Sequence, residues 1–298
     1  MERYFENITR YAELFTKRGE QFWIEDDKIY RLYQQMINPE GAIKKNLTID
    51  LKKGKKLLTK SKGILLRQTY NFDCNASQSE WYAIICKKHI PIERLNSNKK
   101  RGIIRGLQNC TVRMITPKEL ASQGFECYSK AFENYKSINV SIFDEIQFKH
   151  NIINAEGFED IVHYWGVYKD DKLIAYASNY IFGNTEVSYT TAKLHPDYLE
   201  CYPMYALIYK MNEYYLQEQQ FEYVNAGFRS ILHETTVQSF LISKFDFKKV
   251  YLDLNVQYQP LYGFVMKFTF PFRKIIAKFD ARFKALFELE QIHRISKK

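Results

Sequence analysis

The clearest pattern of apolar and polar positions runs from Cys110 to Val256. Cys110–Ile115 alternates and is rich in β-formers, the two-residue period of a half-buried strand. Thr116 then offers an N-cap, Pro117 fits the first helical position and Glu119 can complete a capping box, so a helix is predicted to about Tyr135. Ser141–Ile152 reads as a second helix, capped by Ser141. Three strands follow at Ile161–Lys169, Lys172–Phe182 and Thr185–Leu194, with tight turns at Asp170-Asp171 and Gly183-Asn184. The pattern ends with a helix over Tyr202–Gln219, a strand over Glu222–Gly227, a helix over His233–Lys244 and a strand over Lys248–Val256. The order β-α-α-β-β-β-α-β-α-β predicts an α/β (α+β) fold with a mixed sheet and helices on both faces.

The pattern before Cys110 is weaker. It suggests strands at Phe22–Leu32, Gly63–Tyr70 and Trp81–Cys86, and a basic helix over Ile92–Leu107. Beyond residue 260 the chain turns amphipathic. Ile275, Ile276, Phe279, Phe283, Leu286 and Phe287 recur at helical spacing, bordered by Arg273, Lys274, Lys278, Arg282 and Lys284. Such a helix can lie on an anionic membrane, or more simply pack its stripe on the protein or a second subunit. The expected division is 1–108, 109–260 and 261–298.

Composition adds limits. The chain has 298 residues, 46% hydrophobic and 16% aromatic, with a net charge of +10. That suffices for a sizeable core and favours anionic partners without naming one. The basic residues are spread, apart from Leu51–Lys62 and the C-terminal tail. The five cysteines are widely spaced with no CxxC, so they read as free thiols in a reducing compartment, and no metal is expected. The first residues lack a signal-peptide core and no apolar run approaches a membrane span, which predicts a cytoplasmic protein, at most peripheral at the inner face of the membrane.

The segments WGVYKDDKLIAYASNYIFG, LHPDYLECYPMYALIYKM and YVNAGFRS, the last followed by a helix and KFDFKKVYLDL, resemble the GNAT acyltransferase fold over roughly residues 110–258. Ile92–Thr116 resembles the basic helix and strand that join the two halves of the FemAB-like branch. There a partial GNAT-like half, here residues 1–108, precedes a complete domain. The resemblance implies transfer of an acyl or aminoacyl group to an amine by direct attack. It implies an activated donor, either acyl-CoA or aminoacyl-tRNA, and a small-molecule or glycan acceptor such as an amino sugar or cell-envelope precursor. The alternative is an inactive binding module for a phosphorylated glycan or a partner protein.

Two departures bear on that. The usual donor loop, (R/Q)-x-x-G-x-(G/A), cradles a pyrophosphate with backbone N–H groups. Here the junction holds no glycine, and Tyr198 to Tyr205 supply bulk. Helix N-terminal amides from Met204 to Ala206 are still expected to point outward. The usual tyrosine acid falls on Ile242 by its spacing to Phe247, and the glycine before that Phe is Asp246.

The candidate site follows from these elements. Thr191, Leu194, Met204, Tyr205 and Ala206 are assigned to the donor. Tyr189, Arg229 and Ser230 are assigned to the acceptor, Arg229 through a bidentate grip on phosphate or carboxylate. His233 or Glu234, opening a helix beyond the strand end, is the candidate general base, with Asn225 orienting the acceptor or carbonyl. Each has a plainer role: a first-turn Glu suits the helix dipole, and Tyr189 can fill the core. His195 reads as a strand-end cap. Lys99, Lys100, Arg101 and Arg105 can meet a phosphate or tRNA, or be a solvated helix face. Without aromatic interleaving, nucleic acid is not favoured except as the aminoacyl-tRNA donor.

Overall fold

The structure is a computed structural model describing residues 8–133, 142–231 and 236–297. In chain order its elements are α1 Ile8–Lys17, β1 Phe22–Glu25, β2 Lys28–Tyr33, β3 Met36–Glu40, α2 Leu51–Lys60, β4 Leu65–Cys74 and β5 Tyr82–Cys86. Then come α3 Ser97–Asn109, β6 Thr111–Ile115, α4 Pro117–Glu133, α5 Glu145–Ile153, β7 Val162–Lys169, β8 Lys172–Phe182 and β9 Glu186–Leu194. The chain continues with α6 Pro203–Asn212, β10 Tyr223–Phe228, α7 Thr236–Phe245, β11 Lys248–Tyr258, α8 Pro260–Thr269, α9 Arg273–Ile276 and α10 Ala281–Ile295. The predicted order from Cys110 holds, and the fold is mixed α/β.

The described residues form two compact units. Unit 1 lies within Ile85–Gly227 and Thr236–Lys248, and unit 2 within Asn7–Ile84, Phe228–Thr235 and Lys249–Lys298.

In unit 1 the strands run β5-β10-β9-β8-β7-β6. The meander β6 to β9 is antiparallel, while β10 lies parallel to β9. Asp170 and Gly183 take the left-handed turn positions expected between the strands. Thr116 Oγ1 accepts the Glu119 amide and caps α4, as its sequence predicts. The capping box does not close, because the Glu119 carboxylate is drawn to Arg113 and Tyr168. Helix α5 begins later than expected. Asp144 accepts from Gln147 N, and Gln147 Oε1 accepts from Asp144 N, a closed box. Ser141 lies outside the described residues.

In unit 2 the strands run β1-β2-β3-β4-β11. The single strand expected over Phe22–Leu32 is instead a hairpin. Asp26 and Asp27 both take φ of 53°, the two left-handed positions of a tight turn that Asp tolerates. Tyr30, Ile37, Ile49, Leu57, Leu58 and Leu66 make the core between β2, β3, β4 and α2. The charged run at Leu51–Lys62 is therefore mostly a helix, capped by Asp50 and inserting Leu57 and Leu58. Helix α1 and strand β3 were not legible in the sequence.

The amphipathic tail is several helices rather than one. It breaks at Ala277–Asp280, and Asp280 caps α10 by accepting from Arg282 N. Only part of its apolar stripe is covered. Phe287 packs with Met266 and Phe270, while Ile275, Phe279 and Phe283 are exposed.

Candidate functional site

The site is built where β9 runs into α6 in unit 1. Strands β9 and β10 pair in parallel over only three positions, ending at Asn225↔Ser188, although β9 continues to Leu194. The last part of β9 thus leaves its neighbour and leads into a 3₁₀ turn, Pro196–Cys201. His195 caps that turn through Nδ1, which accepts the Asp197 amide at 3.4 Å, and so acts as the strand-end cap expected. Tyr202 then takes φ 58° and ψ 41°, a left-handed conformation that costs a non-glycine residue about 1 kcal/mol. Pro203 starts α6 at once. The junction therefore keeps a backbone suited to glycine while carrying a tyrosine.

The amides at this helix start are mostly used. The Tyr205 and Ala206 N–H groups both donate to the Tyr202 carbonyl, at 3.1 and 3.3 Å. Tyr202 N donates to Leu199 O, and Pro203 has no N–H. Of the three amides expected to point outward, Met204 to Ala206, only that of Met204 is left. The left-handed turn at Tyr202 aims its carbonyl back at the first turn, which consumes the other two.

The glycines missing from the loop stand on the neighbouring helix. Gly102 and Gly106, four residues apart, share one face of α3. A Cβ on Gly106 would lie 2.7 Å from the Tyr202 carbonyl oxygen and 3.0 Å from Ala206 N. One on Gly102 would lie 2.4 Å from the Tyr205 ring. Helix α3 thus packs backbone to backbone on the start of α6. It also delivers Arg105, whose guanidinium donates to Tyr202 Oη at 3.1 Å and lies over the ring.

An open cavity of about 550 Å³ lies at this junction, lined by Arg105, Leu194, Leu199, Glu200, Tyr202 to Tyr205. Three of the residues assigned to the donor, Leu194, Met204 and Tyr205, line it. Thr191 does not, and Ala206 is fully buried. Burial raises the Tyr205 phenol pKa.

The other candidates fall elsewhere. His233 and Glu234 lie outside the described residues. Asn225 is buried with both ends of its amide occupied. Its Nδ2 donates to Glu186 Oε1 at 2.8 Å, and its Oδ1 accepts from Gly227 N at 2.9 Å. Tyr189 donates its hydroxyl to Asn212 Oδ1 at 2.9 Å, packs near Tyr215 and Phe247, and is pushed well above the ordinary phenol range by burial. Ile242 is exposed on α7, and Asp246 takes φ 59°, which is why glycine suits that position. Arg229 and Ser230 belong to unit 2. The Arg229 guanidinium donates to the Glu80 carbonyl, the Glu80 carboxylate and Glu288, so its fork is already filled.

Three further features lie outside the residues singled out above. In unit 2, Arg67 is half-buried beside the Trp81 and Phe228 rings, at 5.6 and 5.7 Å, and makes no ion pair among the described residues. Burial lowers its pKa to about 10. The buried Trp81 Nε1 also has no hydrogen-bond partner there. In unit 1, the Tyr215 hydroxyl accepts from Trp165 Nε1 at 2.8 Å and Asn179 Nδ2 at 3.2 Å. Its own proton then goes to His163 Nδ1, 3.0 Å away, which fixes the neutral His163 as the Nε2–H tautomer. Burial lowers His163 to about 4. Third, Tyr215 sits in a π-helical turn, Glu213–Glu218, that continues α6. A His and an Asn inside otherwise apolar strands were the available signal, and β7–β8 pairing puts His163 opposite Asn179.

All five cysteines are free, and burial pushes Cys86 and Cys110 to about 11 and Cys127 to about 12. None of these three is poised as a nucleophile. Among the described residues no group of three His, Cys, Asp or Glu side chains could hold a metal.

No protein-family profile matches the chain, and no curated protein matches it. Solved structures do. One is FemX, at 10% identity, covering 86% of this chain and 93% of that one, with a TM-score of 0.56. Another is the C-terminal domain of an Agrobacterium fabrum protein named as a lysylphosphatidylglycerol synthetase. It is 11% identical, covers 87% of this chain and 90% of that one, and has a TM-score of 0.52. At such identities the likeness concerns the fold, and the chain has the GNAT, FemAB-like fold.

Proposed function

We propose that the protein is an N-acyltransferase that moves an acyl or aminoacyl group from an activated donor to an amine by direct attack. The observation that carries this reading is the open cavity at the β9–α6 junction, lined by Arg105 and by Met204, whose amide has no backbone partner among the described residues. An anionic donor needs a cation and a hydrogen-bond donor there, and both are supplied. A single free amide is too few for a pyrophosphate cradle. That favours a donor gripped by the Arg105 side chain, such as the phosphates of an aminoacyl-tRNA end, over coenzyme A. The acceptor we favour is an amino sugar or cell-envelope precursor, as the sequence resemblance implies.

A second reading has its own support. Asn225 is locked, and Ile242 replaces the usual tyrosine acid. An inactive binding module would need neither group. Thermal unfolding with acetyl-CoA, longer acyl-CoAs and charged tRNA separates these readings. A true donor at a hundred times its Kd should add about 2.7 kcal/mol of stability, and Arg105→Ala should remove most of that gain. Stabilisation by charged tRNA alone supports the aminoacyl donor, and by an acyl-CoA supports coenzyme A. A response to neither would favour the binding module.

A further inference from the structure

We infer that the C-terminal helices of unit 2 form a docking face for an anionic lipid bilayer. In α8, Leu261, Phe264, Val265 and Phe268 recur at the i, i+3, i+4, i+7 spacing that normally turns a helix towards a core. Here that face is open, with Phe264 62% exposed, and the inward side of α8 buries Met266 instead. The exposure continues past the helix at Phe272, Ile275 and Phe279, the last 81% exposed. Soluble surfaces scatter such residues singly; a run of this kind marks an interaction site.

The charges decide the occupant. Lys267, Lys274, Lys278 and Lys284 are exposed within the same stretch, and no ion pair to them is seen among the described residues. Its one acid, Asp280, is taken by Arg282. A second copy of the chain would set these lysines against their equivalents. An anionic bilayer instead neutralises them, while the phenylalanines enter the headgroup boundary and the lysine stems reach back to phosphates. Helix α8 has ten residues, about 15 Å of rise, too short for a hydrocarbon core of about 30 Å. No helix among the described residues is long and apolar enough to cross a membrane. The segment therefore lies on the bilayer. This surface stands independently of the acyl-transfer reading.

The test is sedimentation of the full chain with vesicles of phosphatidylcholine alone and of equal parts phosphatidylcholine and phosphatidylglycerol. Binding should be about tenfold or more tighter to the anionic vesicles and should weaken as salt rises. The double variant Phe264→Ser, Phe268→Ser should lose about tenfold, and so should Lys274→Glu, Lys278→Glu. All four side chains are exposed, so melting temperatures should stay near that of the parent. Equal binding to both vesicles, no binding, or variants that bind like the parent would overturn the proposal. So would a dimer in analytical ultracentrifugation that the phenylalanine variants dissolve without any vesicle binding, since a second copy would then cover the face.

Discussion

Gly106→Leu should destabilise unit 1 by about 3 kcal/mol or more. The first atom of the new side chain would already lie 2.7 Å from a backbone carbonyl and 3.0 Å from a backbone nitrogen, and neither can rotate away. Helix α3 must then lift off α6, which also moves Arg105 from Tyr202. The intrinsic helix preference of Leu over Gly returns only about 1 kcal/mol, so the steric term wins. Gln108→Leu, an exposed change on the same helix, should stay within about 0.5 kcal/mol. Urea unfolding of both variants checks this. Equal midpoints would mean that α3 does not pack on the start of α6 as described.

The second large effect is expected at Tyr215. Tyr215→Phe keeps the ring, which is fully buried, and removes the hydroxyl that joins His163, Trp165 and Asn179. Trp165 Nε1 and His163 Nδ1 lose the hydroxyl they bond, and Asn179 keeps only its contact to Met211 Sδ at 3.2 Å. Each stranded buried group costs about 1–3 kcal/mol, and the losses overlap, so about 3 kcal/mol is expected in total. The network also carries a pH signature. Burial is the main cause that lowers His163 to about 4, against about 6.5 when unfolded. Between those values the unfolded chain binds the proton first, so stability falls as pH falls through that window. From this group alone the loss at pH 5 is about 2 kcal/mol. His163→Gln should flatten the slope between pH 7 and 5. An unchanged slope would remove His163 from the account, and a Tyr215→Phe variant as stable as the parent would remove the network.

The sequence showed the meander and its crossovers because their signals are local. Alternation over β7 to β9, Asp170 and Gly183 at the turns, and Thr116 before Pro117 each act within a few residues. The first hundred residues were harder to read. Their hairpin depends on two aspartates in a left-handed turn, and a long apolar run with polar interruptions looks the same as one strand. The site divided in the same way. Leu194, Met204 and Tyr205 lie at the strand-to-helix junction that the local pattern predicts, and they line the cavity there. Gly102 and Gly106 matter only because α3 meets α6 across roughly a hundred intervening residues, which no local pattern encodes. Arg229 and Asn225 were attractive by residue type, yet Glu80, Glu288 and Glu186 engage them through contacts that only the folded chain supplies.

The most direct test of the acyl-transfer account is a product assay. Purified protein would be incubated with isotope-labelled aminoacyl-tRNA or acyl-CoA and a panel of amino sugars and amine-bearing envelope precursors, and the acceptors read by mass spectrometry. A new amide on an acceptor nitrogen is expected, formed by the parent and lost or strongly reduced in Arg105→Ala. A donor that stabilises the protein yet yields no amide with any acceptor would contradict catalysis and leave a binding module on an acyltransferase fold.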